Sequence, residues 1–289
     1  MIINGRALAQ DLNLHTQARI NELAFRPLLV DVVVGDDSAS LSYMGIKQRT
    51  AQKYGMAFEA HHLPQTSTTE EVVEFIHALV KRDDICGLIV QVPLPENIDQ
   101  QAVLNCIPSN LDVDLLNQES SEQFYSNEKV EDSKQFIPPT AGAILHILDS
   151  LPEDWSQKKF IVLGRGELVG KPITYLLKQR GYNVEVVHSQ TQNSAELLSS
   201  ADVIISGVGK SNFITGNQVK DGVIIIDAGT SEAVSKDENT IETVITGDVD
   251  FESCEPKAKY ITPVPGGVGP LTVAKLLENV VKVAELSQK

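Results

Sequence analysis

One segment, residues 158–172, constrains the fold of this chain more than any other part of the sequence. It contains a short apolar run, residues 160–163, which is too short for a buried helix and predicts a buried strand of a parallel sheet. Three glycines follow at once: Gly164, Gly166 and Gly170. A pattern with helical periodicity then covers residues 173–179. A strand, a glycine turn and a helix N-terminus together present backbone N–H groups to a phosphate.

The glycine spacing leaves two interpretations open, a nucleotide site or a plain turn, because the third glycine comes one residue later than in the usual dinucleotide fingerprint. A second predicted strand covers residues 183–187 and is followed directly by His188 and Ser189. At this position NAD sites commonly carry an acid that binds the ribose 2′-hydroxyl. That acid is missing here, and Arg165 lies in the glycine turn. These donors suit a 2′-phosphate, so the sequence favours NADP over NAD. The alternative for Arg165 is a solvated surface arginine.

The composition argues against several classes of function. The chain of 289 residues has a net charge of -15, whereas non-specific binding to nucleic acid or to an anionic membrane needs a positive face. Its three cysteines, Cys86, Cys106 and Cys254, show no disulfide or metal spacing and fit a reducing cytosol. No signal peptide is expected, and no apolar stretch approaches the ~18 residues that span a bilayer. We therefore expect a cytoplasmic protein. The six histidines are unclustered except for His61 and His62, which are expected to point to opposite faces of a strand, and so predict no metal.

Strands and helices alternate in the first part of the chain, which implies parallel strands joined by crossover helices. The predicted helices are residues 5–25, 38–54, 68–82 and 98–106, and the predicted strands are residues 28–34, 57–63 and 85–92. Ser38 is the expected cap of the second helix. After residue 108 the alternation stops, and the polar residues 117–135 are predicted to form a loop or linker.

Alternation resumes after a helix predicted at residues 140–151, with strands at 160–163, 183–187, 203–206 and 223–227 and a last helix at 271–286. The sequence therefore predicts an α/β fold of two lobes. Residues 1–138 form the first, and residues 139–269 form a Rossmann-type dinucleotide-binding lobe. Ligands are expected in a cleft between them, at the carboxyl ends of the strands.

Several motifs, in chain order, resemble one enzyme family over nearly the whole chain. They are Tyr43-Met-Gly-Ile-Lys47, Gly87-Leu-Ile-Val-Gln-Val-Pro-Leu-Pro95, Asp112-Val-Asp114, Gly164-Arg165, Val169-Gly-Lys-Pro172, His188-Ser189, Gly247-Asp-Val249 and Thr262-Pro-Val-Pro-Gly-Gly-Val-Gly-Pro270-Leu-Thr272. In these motifs the chain is similar to the bifunctional methylenetetrahydrofolate dehydrogenase/methenyltetrahydrofolate cyclohydrolase enzymes, the FolD type. The resemblance implies that the C-terminal helix, residues 270–289, packs back on the first lobe. It also implies a homodimer formed through the second lobe.

Four side chains are candidates for chemistry in the first lobe. Tyr43 and Lys47 lie four residues apart on a predicted helix and so share a face, although an aromatic ring that covers a lysine stem is the simpler alternative. Gln91 lies at the end of a predicted buried strand, where its amide either serves a ligand or bonds to the backbone. Asp114 either binds a ligand or caps a turn.

The resemblance implies roles for these residues. Lys47 is implied to be the general acid–base, Tyr43 to orient the folate, Gln91 to contact and tune Lys47, and Asp114 to bind the pterin ring. Cofactor contacts are implied for Gly164, Arg165, Gly166, Val169, Gly170, His188, Ser189 and Thr230. Further folate contacts are implied for Pro265, Gly266, Gly267 and Thr272, in a loop whose alternative role is a tight turn that opens the last helix.

The implied activity has two steps, with NADP as the cofactor and NAD as the less favoured one. First, 5,10-methylenetetrahydrofolate is oxidised to the 5,10-methenyl form, and then water opens that form to 10-formyltetrahydrofolate. Two alternatives stay open: a monofunctional NAD(P)-dependent dehydrogenase, and a non-catalytic folate- or nucleotide-binding protein. The presence of Tyr43, Lys47 and Gln91 speaks against the first, and only altered pocket residues favour the second.

The sequence departs from the family pattern at several positions. Leu115 replaces a glycine after Asp112-Val-Asp114, and Pro139 and Ala141 replace the cysteine and the second proline of a Pro-Cys-Thr-Pro motif. Gly166 replaces a serine, and Gln190 replaces a basic residue. Leu115 bears on the shape of the pterin pocket, whereas Gly166 and Gln190 remove possible phosphate donors.

Overall fold

A computed structural model describes residues 1–126, 136–237 and 240–287. The chain divides into two compact units. The three-stranded unit comprises Asp11–Pro139 and Val273–Lys289, and the five-stranded unit comprises Met1–Gln10 and Thr140–Thr272. Each unit is named after the parallel sheet that it contains.

Helices and strands alternate along most of the described chain. The helices are α1 (Gly5–Asn21), α2 (Ser38–Lys53), α3 (Thr69–Leu79), α4 (Gln100–Leu104), α5 (Gln118–Ser126), α6 (Pro139–Ser150), α7 (Gly170–Gln179), α8 (Ser194–Ser200), α9 (Phe251–Cys254) and α10 (Val268–Ser287). The strands are β1 (Leu28–Val34), β2 (Ala57–Leu63), β3 (Ile85–Val90), β4 (Lys159–Leu163), β5 (Asn183–Val187), β6 (Val203–Ser206), β7 (Val223–Asp227), β8 (Ser231–Asp237), β9 (Thr240–Thr246) and β10 (Ala258–Ile261). The predicted α/β class is confirmed.

The three-stranded unit is built on a parallel sheet with the order β2-β1-β3. β1 is the central strand, and apart from Leu28 all of its residues are buried, because it is covered on both faces as parallel strands usually are. Apolar residues of α10, including Leu277, Val280 and Val281, belong to the same core as β1 and β3. The predicted return of the C-terminal helix to this lobe is therefore confirmed.

The five-stranded unit has a fully parallel sheet with the order β10-β7-β6-β4-β5. From β4 the chain moves outward to β5, and then crosses back so that β6 lies on the other side of β4. The strand order thus reverses between β4 and β6, which is the point where doubly wound sheets bind nucleotides. The predicted Rossmann-type order of this half of the chain is confirmed.

The first ten residues group with the five-stranded unit, whereas the sequence assigned residues 1–138 to the other lobe. The reason is backbone hydrogen bonding at the end of β10. The N–H of Ile3 donates to the carbonyl of Ile261 at 2.8 Å, and the N–H of Ile261 donates to the carbonyl of Met1 at 3.1 Å. Local sequence pattern carries no signal for such a distant pairing.

Other differences from the predicted elements have local causes. Asp37, not Ser38, caps α2, because its carboxylate accepts a bond from the N–H of Ser40 at 2.8 Å. The stretch predicted as a loop after Asn117 begins with α5, whose Phe124 is buried, while residues 127–135 lie outside the described residues. The antiparallel pair β8–β9 and the short strand β10 were not predicted.

Within the described ranges, no helix has the length and apolar character needed to cross a membrane.

The glycine turn gives a prediction for stability. A Cβ on Gly170 would lie 2.1 Å from the carbonyl oxygen of Gly164, so the turn would have to move to admit it. We expect Gly170→Ala to lower the free energy of unfolding by ~1–3 kcal/mol, measured by urea or thermal unfolding, as overpacking commonly does.

Gly166→Ala is the matched control, since nothing lies within 4 Å of a Cβ at that position. It should change the free energy of unfolding by less than ~0.5 kcal/mol. Equal losses in the two variants would show that close packing of the turn is not what requires Gly170.

Candidate active site and nucleotide site

Lys47 is the centre of a polar cluster inside the three-stranded unit. α2 places Tyr43 and Lys47 on one face, and the Lys47 Nζ lies 5.3 Å from the centroid of the Tyr43 ring. The side chain of Lys47 is 1% exposed, which makes it one of the largest fully buried side chains of the described residues. The predicted shared face is confirmed, and the ring contributes a cation–π contact to a buried ammonium ion.

Asp31 is the partner of Lys47, and the sequence analysis missed it. Its carboxylate Oδ2 lies 2.7 Å from the Lys47 Nζ, and its side chain is 0% exposed. Asp31 stands in the middle of β1, in the sequence Leu-Leu-Val-Asp-Val-Val-Val. A charged residue inside a fully apolar strand was the signal available, because a charge is buried only when something pairs with it.

Gln91 donates a hydrogen bond to Asp31, the same carboxylate that pairs with Lys47. It follows β3 directly, and its side-chain Nε2 donates to Asp31 Oδ1 at 3.3 Å. β1 and β3 are neighbouring strands, which brings Gln91, directly after β3, next to Asp31 on β1. Gln91 and Lys47 are therefore held by the two oxygens of one carboxylate.

Two acids follow the fourth helix, and the structure separates their roles. Asp112 is buried and holds a tight turn, since its Oδ2 accepts from the N–H of Asn117 at 2.8 Å. Asp114 lies within that turn and is partly exposed. The turn-capping alternative considered for Asp114 thus belongs to Asp112. The Asp114 carboxylate lies close enough to Lys47 for the ammonium charge to act on its pKa, and its own negative charge raises the pKa of Tyr43.

The turn that carries Asp114 is fixed from the C-terminal helix. The side-chain amide of Asn279, on α10, donates to the carbonyls of Val113 and Ile137, each at 2.9 Å. Asn279 is buried, so losing these bonds would leave its amide unsatisfied. A lone asparagine on the apolar face of a helix was the only sequence signal for this role.

The electrostatics of the cluster favour positive charge. Burial raises the pKa of Asp114 to about 6, where Asp112 and Asp31 act in the same direction and Lys47 opposes them. Burial also raises the pKa of Asp31, against the attraction of Lys47. It raises the pKa of Tyr43 as well, and the negative charges of Asp114 and Asp31 add to that effect. The carboxyls of Asp31 and Asp114 beside one ammonium ion therefore make a site that binds protons or cationic groups readily.

The glycine turn of the five-stranded unit lies at the reversal point of the sheet. Gly164 directly follows β4 and has a φ of +93°, in the left-handed region that favours glycine. A Cβ on it would lie 3.1 Å from the carbonyl oxygen of Gly207, which follows β6. A Cβ on Gly207 would in turn lie 2.6 Å from a methyl carbon of Val169. The turn therefore packs closely against Gly207, and its residues Arg165 and Gly166 are exposed.

The turn after β5 lies beside the glycine turn, because β4 and β5 are neighbours and Leu163 pairs with Val187. The N–H of His188 donates to Thr191 Oγ1 at 2.9 Å, and the N–H of Gln190 donates to His188 Nδ1 at 3.3 Å. Ser189 and Gln190 are exposed. Hydroxyl, imidazole and guanidinium donors meet at one sheet edge with no acid at the end of β5, so these residues fit a dinucleotide that carries a 2′-phosphate.

The remaining predicted residues follow β7 and β10 at the same edge. Thr230 is exposed after β7, and Gly266 has a φ of +112° in the turn that opens α10. Gly267 donates through its N–H to the carbonyl of Pro263 at 2.8 Å, so the alternative of a tight turn is realised. Thr272 bonds through its Oγ1 to the carbonyl of Val268 at 3.3 Å. These loop residues and the Lys47 cluster lie in different units.

Two buried acids hold this sheet edge in shape. Asp248 accepts bonds from Ser206 Oγ and the N–H of Val208, both at 2.7 Å, and Asp227 accepts from the N–H groups of Gly229 and Val249, both at 2.9 Å. Burial raises the pKa of Asp227 to about 6, although its backbone hydrogen bonds oppose the shift. The Gly-Asp-Val motif is therefore a loop anchor, a role that the sequence alone did not suggest.

Among the described residues, no group of three or more histidine, cysteine, aspartate or glutamate side chains is placed to hold a metal ion.

Two family models match successive parts of the chain. Residues 3–114 match the catalytic domain of the tetrahydrofolate dehydrogenase/cyclohydrolase family, and residues 138–288 match the NAD(P)-binding domain of the same family. The first range contains Tyr43, Lys47, Gln91 and Asp114, and the second contains the glycine turn.

Individual proteins give the same result. The bifunctional protein FolD of Flavobacterium psychrophilum is 38% identical over 293 residues, which cover 99% of this chain and 98% of that protein. The crystal structure of FolD from Campylobacter jejuni is 32% identical, covers 99% of both chains and has a TM-score of 0.88. The Trypanosoma brucei FolD structure, a complex with NADP and an inhibitor, is 30% identical, covers 100% of this chain and 98% of that one, and has a TM-score of 0.92. The resemblance found in the motifs is thereby confirmed, and the chain belongs to the tetrahydrofolate dehydrogenase/cyclohydrolase family.

Proposed function

We propose that this chain oxidises 5,10-methylenetetrahydrofolate with NADP and then hydrolyses the 5,10-methenyl product to 10-formyltetrahydrofolate. The observation that carries the proposal is the buried Lys47, set between Asp31 and the Tyr43 ring and facing Asp114. A dehydrogenase alone needs no proton-transferring group of this kind. A non-catalytic binding protein gains nothing from the cost of burying it.

The oxidation requires mainly orientation of two bound molecules. NADP, when bound, supplies the carbon that accepts the hydride. The residues that would hold it are Gly164, Arg165, Gly166, Val169, Gly170, His188, Ser189 and Thr230. Arg165 and the donors after β5 select the 2′-phosphate, while the close-packed glycines let the backbone approach the pyrophosphate.

The hydrolysis begins with a cation, because the methenyl carbon carries a positive charge shared with its two nitrogens. The negative surroundings of Lys47 stabilise that charge before water attacks. Water then adds to the carbon, the bond from that carbon to N5 breaks, and one proton is released in the net reaction. Lys47 transfers protons between the added water and the departing nitrogen, which is the work of a general acid–base.

Asp114 binds the pterin ring in this proposal. An ionised carboxylate accepts two N–H bonds from an amino-pyrimidinone, and this fork fixes orientation as well as affinity. With its pKa at about 6, Asp114 is mostly ionised at neutral pH and can accept both bonds. Tyr43 orients the folate beside Lys47, and Pro265, Gly266, Gly267 and Thr272 supply further contacts.

The setting of the enzyme belongs to the same proposal. The three cysteines of the chain are free thiols, which supports a cytoplasmic location. We also propose a homodimer that forms through the nucleotide-binding half. The proposed functional boundaries are those of the sequence prediction: residues 1–138 and 270–289 serve the folate and residues 139–269 serve NADP, except that Pro265, Gly266 and Gly267 also contact the folate.

Lys47→Met tests the hydrolysis. The variant removes the proton-transferring group and keeps an unbranched side chain of similar length, so the cyclohydrolase rate should fall by ~10²–10⁴-fold, the range of general acid–base catalysis. The measurement is loss of methenyltetrahydrofolate absorbance, with NADP binding followed in parallel and expected to be unchanged.

Lys53→Met is the matched control for that variant. Lys53 lies on the same helix, at 5.0 Å from the centroid of the Tyr54 ring, but it is exposed. Its replacement should leave both reactions unchanged. Normal hydrolysis by Lys47→Met would rule out the acid–base role.

Arg165→Ala tests the cofactor. Loss of a charge-assisted contact to phosphate costs about 1.5–3 kcal/mol, so the KM for NADP should rise by roughly 10- to 100-fold in NADPH-formation assays with methylenetetrahydrofolate. The KM for NAD should change by less than about threefold, since no 2′-phosphate is lost. Lys178→Ala, in the last turn of α7, removes a positive charge far along the helix and serves as the control. Equal losses with both cofactors would reject the contact.

A further inference from the structure

Asp31 stands where an acid is costly. It is on the central strand of a parallel sheet, it is 0% exposed, and its neighbours in register are Ala60 on β2 and Ile89 on β3. An apolar pair of similar volume commonly stabilises a core at least as well as a buried ion pair. Stability alone therefore does not account for the Asp31–Lys47 pair.

We propose that Asp31 is a positioning residue for Lys47 in the hydrolysis step. This inference rests on the proposed function and extends it to Asp31, which has no role in the two steps described above. The carboxylate of Asp31 fixes the place of the Lys47 ammonium group, and the amide of Gln91 fixes the carboxylate.

The geometry of the carboxylate supports this role because both of its oxygens are engaged. Oδ2 pairs with the Lys47 Nζ at 2.7 Å, and Oδ1 accepts from Gln91 Nε2 at 3.3 Å. The backbone of Asp31 is itself held between two strands, so the carboxylate cannot follow the lysine if the lysine moves. A long, flexible side chain is thereby given one position, which catalytic geometry demands and a lysine by itself does not provide.

The charges around the pair explain why a second acid is needed. From α2 the pair faces Tyr43, and from the turn after α4 it faces Asp114, while Gln91 is the neutral contact. Without Asp31, the ammonium group would be attracted mainly to Asp114, which the pterin ring needs. Asp31 keeps Lys47 away from that carboxylate and leaves Asp114 available to the substrate.

The experiment compares Asp31→Asn and Asp31→Glu with the wild type in both reactions across pH. Asparagine keeps the shape and removes the charge, so the cyclohydrolase kcat should fall by more than ~10-fold while the dehydrogenase kcat stays within ~3-fold, because hydride transfer needs no proton from Lys47. The pH–rate profile of hydrolysis should move to lower pH in Asp31→Asn, since the ammonium group has lost its counter-charge. The dehydrogenase profile should stay in place, and Asp31→Glu should recover part of the hydrolysis.

Asp84→Asn is the control, because it removes an aspartate that pairs with Arg82 on the exposed side of the same unit. It should leave both activities and both profiles unchanged.

Three results would overturn the inference. Unchanged hydrolysis in Asp31→Asn is the first. The second is an equal loss of both activities in Asp31→Asn and in Asp31→Glu, which would show a role in folding only. The third is a drop in hydrolysis with an unmoved pH profile and no recovery by glutamate. A wild type that catalyses neither reaction would overturn the proposed function itself and so is distinguished from all three.

Discussion

The ion pair between Lys47 and Asp31 is the contact on which the arrangement of the three-stranded unit depends. Each partner comes from a different element, and the pair is satisfied only when α2 packs on β1 in one register. A slip of β1 by one residue would carry Asp31 to the other face of the sheet and leave Lys47 buried without a partner. The proposed chemistry thus requires the same register as the fold, because the contact that penalises a slip also places the amine of Lys47.

The five-stranded unit reaches its site by topology more than by any single contact. Parallel strands end at one edge, so turns far apart in sequence, after β4, β5, β6, β7 and β10, come together at that edge. What fixes these turns is backbone hydrogen bonding to buried acids, Asp227 and Asp248, and close packing at Gly164, Gly170 and Gly207. The exposed donors are then free to face a ligand.

Local pattern was sufficient wherever an element is defined by its own residues. The bounds of β1, β2, β5, β6 and β7 are the predicted ones, and β1, β6 and β7 are largely apolar runs closed by glycine or an acid. The local sequence pattern gave no information where contacts between residues far apart in the chain determine the structure. The chain start, Met1–Gln10, groups with the unit that contains β10, Asn279 donates to the carbonyl of Val113, and Gln91 donates to Asp31. Motif spacing found Lys47 and Tyr43, which are four residues apart, but had no means to find Asp31, which is brought to them only by the packing of α2 on β1.

The departures from the family pattern separate by location. Leu115 adopts a φ of +59°, where a residue other than glycine is strained by about 1–2 kcal/mol, yet its side chain is buried and recovers about 1.5–3 kcal/mol. A glycine would adopt this positive φ without strain, whereas in this chain the burial of the leucine side chain offsets the strain. Ala141 is likewise buried, and Pro139 is the first residue of α6, a position that suits proline.

Gly166 and Gln190 are exposed at the edge that holds Arg165 and His188. In the proposed cofactor site, we therefore expect selectivity for the 2′-phosphate to rest more heavily on Arg165, because the serine and the basic residue of the family pattern are absent here.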